Sequence, residues 1–141
     1  MNSATSIIKG LRKAIDMTDS QGVIAVVYLF GSFLRGGLRI DSDIDLAFLL
    51  DEKAYKSDPI IAMSPAHLIA AKVGMQLDRE TDVTILNSAS LEMAYEVVTS
   101  GKCLFELDLD LRMEYEIKIK GMYFDFRPFL EELRAKSLAH L

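Results

Sequence analysis

The chain has 141 residues, of which 50% are apolar and 26% charged, values typical of one soluble globular domain with its own hydrophobic core. The formal net charge of −5 argues against broad nucleic-acid binding, which requires a basic surface. The single cysteine, Cys103, excludes an internal disulfide framework and any multi-cysteine zinc site, and we expect it to pack in the core.

The sequence shows no signal for membrane insertion or secretion. None of its apolar runs approaches the roughly 20 residues that span a bilayer. The N-terminal sequence "MNSATSIIKGLRKAIDM" lacks the apolar stretch of a signal peptide, so we expect a cytoplasmic protein.

The N-terminal part of the chain contains one helix pattern and two strand patterns. Residues 3–17 carry apolar side chains at helical spacing. The run "VIAVVYLF", 23–30, predicts a strand. The run "SDIDLAFLLD", 42–51, predicts a second strand, whose apolar end indicates burial on both faces. Residues 51–59, "DEKAYKSDP", are expected to form a loop.

A second helix is expected to begin at Ser64 and Pro65, because serine caps helices and proline is tolerated at their first position. The residues that this helix is expected to bury are Leu68, Ile69, Val73 and Leu77. His67 in this helix and His140 near the C-terminus have no ligand residues close by in the sequence, so neither is assigned a catalytic role.

The alternation of strands and helices continues after residue 80. Residues 81–86 predict a third strand, and residues 90–101 a helix that Ser90 caps and Gly101 ends. A short fourth strand is expected at residues 103–107, "CLFEL".

The C-terminal tail, residues 108–141, predicts one or two helices. Its apolar residues at roughly helical spacing are Leu111, Tyr115, Ile119, Phe126, Phe129, Leu130 and Leu133. The order of elements predicts an α/β (α+β) fold, a small mixed β-sheet with flanking helices, in a single domain over residues 1–141.

Two aspartates begin the second predicted strand. Alternate residues of a strand point the same way, so Asp43 and Asp45 are expected on one face and Ile44 on the other. Asp82 lies near the start of the third predicted strand, and pairing of the two strands would bring three carboxylates together. Neighbouring carboxylates share a proton, remain exposed or bind a cation, and hard oxygen ligands of this kind suit Mg²⁺.

The spacing of the acidic residues also matches part of a calcium-binding EF-hand loop. Asp41, Asp43, Asp45 and Glu52 occupy its positions 1, 3, 5 and 12. The sixth position, which requires glycine for a sharp turn, is Leu46 within an apolar run. We therefore reject an EF-hand.

A glycine and a serine follow the first predicted strand. Gly31 permits close backbone approach, and the Ser32 hydroxyl and neighbouring N–H groups attract anions if a helical turn begins there. Arg35 and Arg39 lie three and seven residues beyond Ser32, so one or both are candidates to face the same anion. The segment is not a P-loop, because it lacks the Gly-Lys-Ser/Thr ending.

These residues carry a family resemblance. Gly31 and Ser32, followed after ten residues by Asp43, Ile44 and Asp45, resemble the signature of the nucleotidyltransferase superfamily that includes DNA polymerase β. The fuller string "GSFLRGGLRIDSDIDL" is similar to the minimal nucleotidyltransferases, and among these to the antitoxins of HEPN/MNT toxin–antitoxin pairs. Many relatives have Val-Asp-Leu-Val at the third carboxylate, where this chain has "TDVT", 81–84.

The resemblance implies a nucleotidyltransferase fold and a role for each motif residue. Asp43 and Asp45 would hold Mg²⁺, while Asp82 would either complete a second metal site or accept the proton of the attacking hydroxyl. Gly31 and Ser32 would bind the β- and γ-phosphates of ATP, and Arg35 would add positive charge there. A structural alternative is that Asp43 caps a turn, Asp45 pairs with Arg35 or Arg39, and Asp82 is a surface residue.

The resemblance also implies an acceptor outside the chain. In such pairs the enzyme transfers AMP to a tyrosine of the cognate HEPN ribonuclease toxin, which inactivates it. The alternatives are a small-molecule nucleotidyltransferase of the antibiotic-resistance type and a noncatalytic antitoxin that acts by occlusion. The tail residues that either dock such a partner or pack on the sheet are Tyr123, Phe124, Phe126 and Phe129.

Overall fold

The computed structural model describes residues 3–31 and 43–139. Its helices and strands are, in chain order, α1 (Ser3–Thr18), β1 (Ile24–Phe30), β2 (Ile44–Leu50), α2 (Glu52–Ser57), α3 (Pro59–Leu77), β3 (Thr81–Ile85), α4 (Leu91–Ser100), β4 (Lys102–Glu106) and α5 (Leu109–Ala139). The predicted strands are all present, and the alternation with helices is confirmed apart from one added helix, α2.

The four strands form a mixed sheet in the order β3-β2-β1-β4. Strand β1 pairs antiparallel with both β2 and β4, whereas β2 and β3 are parallel. The end of β1 and the beginnings of β2 and β3 therefore lie at the same end of the sheet, here called the carboxylate end. The predicted mixed sheet with flanking helices is confirmed.

The central strands are covered on both faces. Leu46 and Phe48 of β2 belong to a core that includes residues of α1 and α3, and Ala47 and Leu49 belong to a second core with residues of α4 and α5. This burial explains the continuous apolar run of β2, as the sequence predicted.

The prediction of a loop at residues 51–59 is wrong, because residues 52–57 form helix α2. Asp51 caps α2 by accepting a hydrogen bond from the Ala54 N–H, 3.0 Å away. Asp58 caps α3 in the same way, and Pro59 occupies the first helical turn. Helix α3 thus begins six residues before the predicted start, and Pro65 lies inside it. Asp58 and Pro59 thus take the positions of cap and first helical residue that the sequence suggested for Ser64 and Pro65.

The burial predicted for α3 is only partly confirmed. Ile69 and Val73 are buried, Leu77 is half-buried, but Leu68 is 55% exposed. Among the described residues, one helix, α3, is long and apolar enough to span a membrane, with a mean hydropathy of 1.3. The sequence had predicted no apolar segment of that length. A core helix of a soluble protein passes the same test, and the buried side of α3 packs on the sheet.

The C-terminal tail forms one helix, α5, with two different halves. Ile119 is buried against the sheet, and the Tyr28 hydroxyl of β1 donates a 2.7 Å hydrogen bond to Glu116. Tyr123 stacks on Tyr95 of α4, with ring centroids 3.7 Å apart. Of the apolar tail residues named in the sequence analysis, those that the structure leaves exposed are Leu111, Phe124, Phe126, Phe129 and Leu133. Cys103 is half-buried and packs against the second core, close to the expectation.

A glycine in α3 allows the chain to turn into β3. A Cβ atom on Gly74 would lie 2.6 Å from the backbone oxygen of Arg79 and 3.3 Å from Thr81 Cγ2. We expect Gly74→Ala to lower the free energy of unfolding by about 1–3 kcal/mol, since the backbone must shift. The control is Gly121→Ala in α5, where nothing lies within 4 Å; alanine should raise stability there by about 0.5–1 kcal/mol. Denaturant unfolding measures both, and equal effects would contradict this account of Gly74.

Candidate active site

Two of the three predicted aspartates lie side by side on neighbouring strands. In the parallel register of β2 and β3, Asp45 pairs with Asp82. Paired residues of neighbouring strands point to the same face, so the two carboxylates lie side by side. The Ile44 N–H donates a 2.9 Å hydrogen bond to the Glu80 carbonyl oxygen and fixes the register where the strands begin. The pairing of strands on which the predicted cluster depends is confirmed.

Asp43 stands immediately before β2 and is exposed, as is Asp82, while Asp45 is half-buried. Partial burial, and after it the negative charges of Asp82 and Asp43, raise the pKa of the Asp45 carboxyl. A hydrogen bond to Asp82 acts in the same direction. The three aspartates therefore form one electrostatic cluster, with Asp45 at its centre.

Gly31 closes the cluster from the side of β1. Phe30, the last residue of β1, is the register partner of Asp45. A Cβ atom on Gly31 would lie 2.1 Å from the Asp45 Oδ2 atom, and Gly31 has a φ of +84°. Both the contact and the backbone conformation require glycine. Gly31 thus brings the main chain against the Asp45 carboxylate, just where the segment 32–42 begins.

Three residues of the predicted phosphate site lie outside the described part of the chain. These are Ser32, Arg35 and Arg39. Ser32 follows Gly31 directly, so the predicted phosphate-binding motif begins beside the Asp45 carboxylate. The structural alternative in which Asp45 pairs with Arg35 or Arg39 also falls on these residues.

The donors at this end of the sheet are of the type that Mg²⁺ binds. All three are carboxylates, and a cation would relieve the repulsion that raises the Asp45 pKa. Over residues 3–31 and 43–139, no three acidic, histidine or cysteine side chains are arranged to hold a metal ion by themselves. Mg²⁺ commonly uses one or two carboxylates, with substrate phosphates and water as its other ligands, so the aspartates fit a site that a phosphate group would complete.

Two features of the cluster depend on the register of neighbouring strands, which the sequence left open. The Gly31 contact with Asp45 depends on the register of β1 and β2, and the position of Asp82 depends on the hydrogen bond between Ile44 and Glu80. Glycine after a strand could suggest a close approach, but not which side chain it meets.

The chain is similar to known proteins along most of its length. Residues 12–110 match the family "Polymerase beta, Nucleotidyltransferase". The protein adenylyltransferase MntA of Shewanella oneidensis is 34% identical over 117 residues, which are 83% of this chain and 74% of that protein.

Two solved structures match almost the whole chain. One is a crystal structure of a toxin–antitoxin complex with AMP-PNP, with a TM-score of 0.66 and 28% identity over 97% of this chain and 99% of the matched one. The other is a tri-AMPylated Shewanella oneidensis HEPN toxin in complex with an MNT antitoxin, with a TM-score of 0.59 and 27% identity over 96% and 95%. With the paired carboxylates and the fold described above, these matches establish that the chain belongs to the polymerase β-type nucleotidyltransferase family.

Proposed function

We propose that the chain is a Mg²⁺-dependent protein adenylyltransferase. It transfers AMP from ATP to a tyrosine of a cognate HEPN ribonuclease toxin in the cytoplasm, and so acts as the antitoxin of a toxin–antitoxin pair. The observation that carries the proposal is the contact of Gly31 with Asp45 beside Asp82, in a chain that resembles an antitoxin from a complex with an AMPylated toxin. Residues 1–141 would act as one minimal nucleotidyltransferase domain.

Each residue of the cluster has a role in this reaction. Asp43 and Asp45 would hold the cation, which would stabilise negative charge on the triphosphate and on the attacking oxygen. Gly31 and Ser32 offer backbone and hydroxyl groups to the β- and γ-phosphates, and Arg35 supplies positive charge. Asp82, exposed beside Asp45, completes a second metal site or serves as general base.

The transfer exchanges one bond to phosphorus for another. The tyrosine oxygen forms a bond to the α-phosphorus, and the bond from that phosphorus to the oxygen bridging to the β-phosphate breaks. Pyrophosphate leaves with the bonding electrons, and the tyrosine proton passes to Asp82 or to water. The products are an adenylylated tyrosine and pyrophosphate.

A protein acceptor is favoured over a small molecule by the extent of the matches. The chain covers 99% of the matched chain from a toxin–antitoxin complex, so the similarity extends over nearly the whole of that chain. The repeated occurrence of the toxin in the matched complexes supports the same class of partner here.

The test uses the product of the neighbouring gene, which this proposal expects to be a HEPN-type toxin. Incubation of the two proteins with ATP and Mg²⁺ should add at least one AMP to the toxin, detected by intact-protein mass spectrometry and assigned to a tyrosine by peptide fragmentation. EDTA should prevent the modification. An unmodified toxin in the presence of ATP and Mg²⁺ would refute the proposed function, and modification of a lysine or serine would refute the acceptor residue.

A further inference from the structure

Helix α3 exposes a row of large apolar side chains. Ile61 is 70% exposed, Leu68 55% and Met75 83%. They are seven residues apart, so they lie along one side of the helix, with the small exposed residues Ser64 and Ala71 beside them. These five residues are called the α3 stripe. Ala62, Ala66, Ile69 and Val73 are buried on the other side of α3.

The pattern of the α3 stripe is typical of a surface that packs against a second helix. Large residues at one heptad position alternate with small residues at the other, which lets a neighbouring helix approach closely. From Ile61 to Met75 the stripe is about 21 Å long, at 1.5 Å per residue. Exposed apolar rows of this kind mark interaction sites.

The α3 stripe ends next to the aspartate cluster. Met75 and Ala71 line a cleft of about 490 Å³ together with Glu80 and Thr81. Thr81 directly precedes Asp82, the register partner of Asp45. A protein bound along α3 therefore extends to the carboxylate end of the sheet, where an acceptor hydroxyl must arrive.

Charge argues against a membrane as the occupant. Lys72 is the only lysine or arginine of α3, and its ammonium group donates a 2.9 Å hydrogen bond to the Thr18 hydroxyl of α1. Surface helices that bind anionic lipid carry lysine and arginine on their polar face, and the chain has a net charge of −5. A second copy of the chain seated on the α3 stripe would cover the cleft beside Asp82 and obstruct the acceptor.

A second apolar surface, on α5, is less suited to delivering the acceptor. Phe126 and Phe129 are 49% and 57% exposed, but the second half of α5 is tied by an ion pair of Arg134 to Glu92, at the start of α4. Helix α4 begins after the end of β3, at the end of the sheet opposite to the carboxylates. The α5 surface is thus remote from the cluster, whereas the α3 stripe leads to it.

We propose that the α3 stripe docks a helix of the toxin and presents the acceptor tyrosine to the aspartate cluster. This inference rests on the proposed function for the identity of the partner. In this arrangement Ile61, Leu68 and Met75 contact the toxin helix. The small side chains of Ser64 and Ala71 let that helix approach α3 closely.

The test measures binding separately from chemistry. The affinity of the toxin for the chain is determined by calorimetry without nucleotide, for the wild type, for Leu68→Glu/Met75→Glu, and for the control Phe126→Glu/Phe129→Glu. All four substituted side chains are exposed, so the variants should fold, which circular dichroism verifies. We expect the α3 variant to raise Kd at least about tenfold more than the α5 control, and to leave the Kd for Mg²⁺-ATP unchanged.

Three results would overturn the assignment. One is an unchanged toxin Kd for the α3 variant, whether or not AMP is transferred. Another is a wild type that is dimeric by light scattering and an α3 variant that is monomeric with unchanged toxin affinity, which assigns the stripe to a second copy. A third is binding of the wild type, but not the variant, to phosphatidylserine vesicles, again with unchanged toxin affinity. Loss of toxin binding without AMP transfer by the wild type would instead refute only the proposed function.

Discussion

Asp45→Asn is expected to abolish nucleotidyl transfer and, at the same time, to stabilise the free protein. The pKa of the Asp45 carboxyl is raised by burial and by the charges of Asp82 and Asp43, so ionisation of this group costs folding free energy. The cost is absent in acid, and it grows as the pH rises from the unfolded-state pKa through the folded-state pKa. Asparagine removes it without changing the size of the side chain.

The stability gain at neutral pH should be up to about 1 kcal/mol, because solvent screens a partly exposed carboxylate. Transfer should fall at least about 10³-fold if Asp45 holds the cation as proposed, since loss of such a ligand removes several kcal/mol of transition-state stabilisation. Denaturant unfolding at pH 7 without divalent ions measures the first effect, and labelled AMP incorporation measures the second. Asp16→Asn, at an exposed position of α1, is the control.

The same experiment separates the metal site from a structural ion pair. If Asp45 balances a cationic side chain of the chain itself, asparagine should destabilise the protein and activity should follow stability. A drop in the free energy of unfolding would therefore contradict the role proposed for Asp45. Mg²⁺ added together with AMP-PNP should raise the Tm of the wild type more than that of Asp45→Asn.

Gly31→Ala is expected to have the second large effect. The new methyl group would lie 2.1 Å from Asp45 Oδ2, and the φ of +84° is strained for alanine. The Asp45 carboxylate must move, so we expect at least about 10²-fold loss of transfer and about 1–3 kcal/mol of destabilisation. Steady-state kinetics and denaturant unfolding provide the two measurements.

Gly22→Ala is a matched control for this substitution. Gly22 has a φ of +67°, yet a Cβ atom there would meet nothing within 4 Å. The control should therefore cost about 1 kcal/mol from backbone strain and leave transfer unchanged. Equal loss of transfer in the two variants would show that strain, rather than the contact with Asp45, explains the effect of Gly31→Ala.

The sequence predicted the parts of the fold that depend on local pattern. The strands and the first helix agree with their apolar periodicity, and Ser90 caps α4 as expected, accepting a 3.1 Å hydrogen bond from the Met93 N–H. The start of α3 was misplaced because Asp58 with Pro59 and Ser64 with Pro65 carry similar local signals.

Surface and site details depended on tertiary contacts instead. The apolar run of α3 gave no indication that Leu68 faces outward, because Ile61, Leu68 and Met75 are as apolar as the buried residues. The pairing of Asp45 with Asp82 requires the parallel register of β2 and β3. The sequence did not show whether these two strands pair. At each of these positions the residue type was informative, but the sequence did not show which residues of other elements lie beside it.

The most direct test of the account is neutralisation of the toxin in cells by an inactive chain. Asp45→Asn retains the α3 stripe and the fold, so it should still bind the toxin. Co-expression with the toxin, followed by growth measurement and mass spectrometry of the recovered toxin, distinguishes catalysis from occlusion. We predict unmodified toxin and arrested growth with Asp45→Asn, and adenylylated toxin and normal growth with the wild type. Normal growth with unmodified toxin in the Asp45→Asn strain would contradict the account.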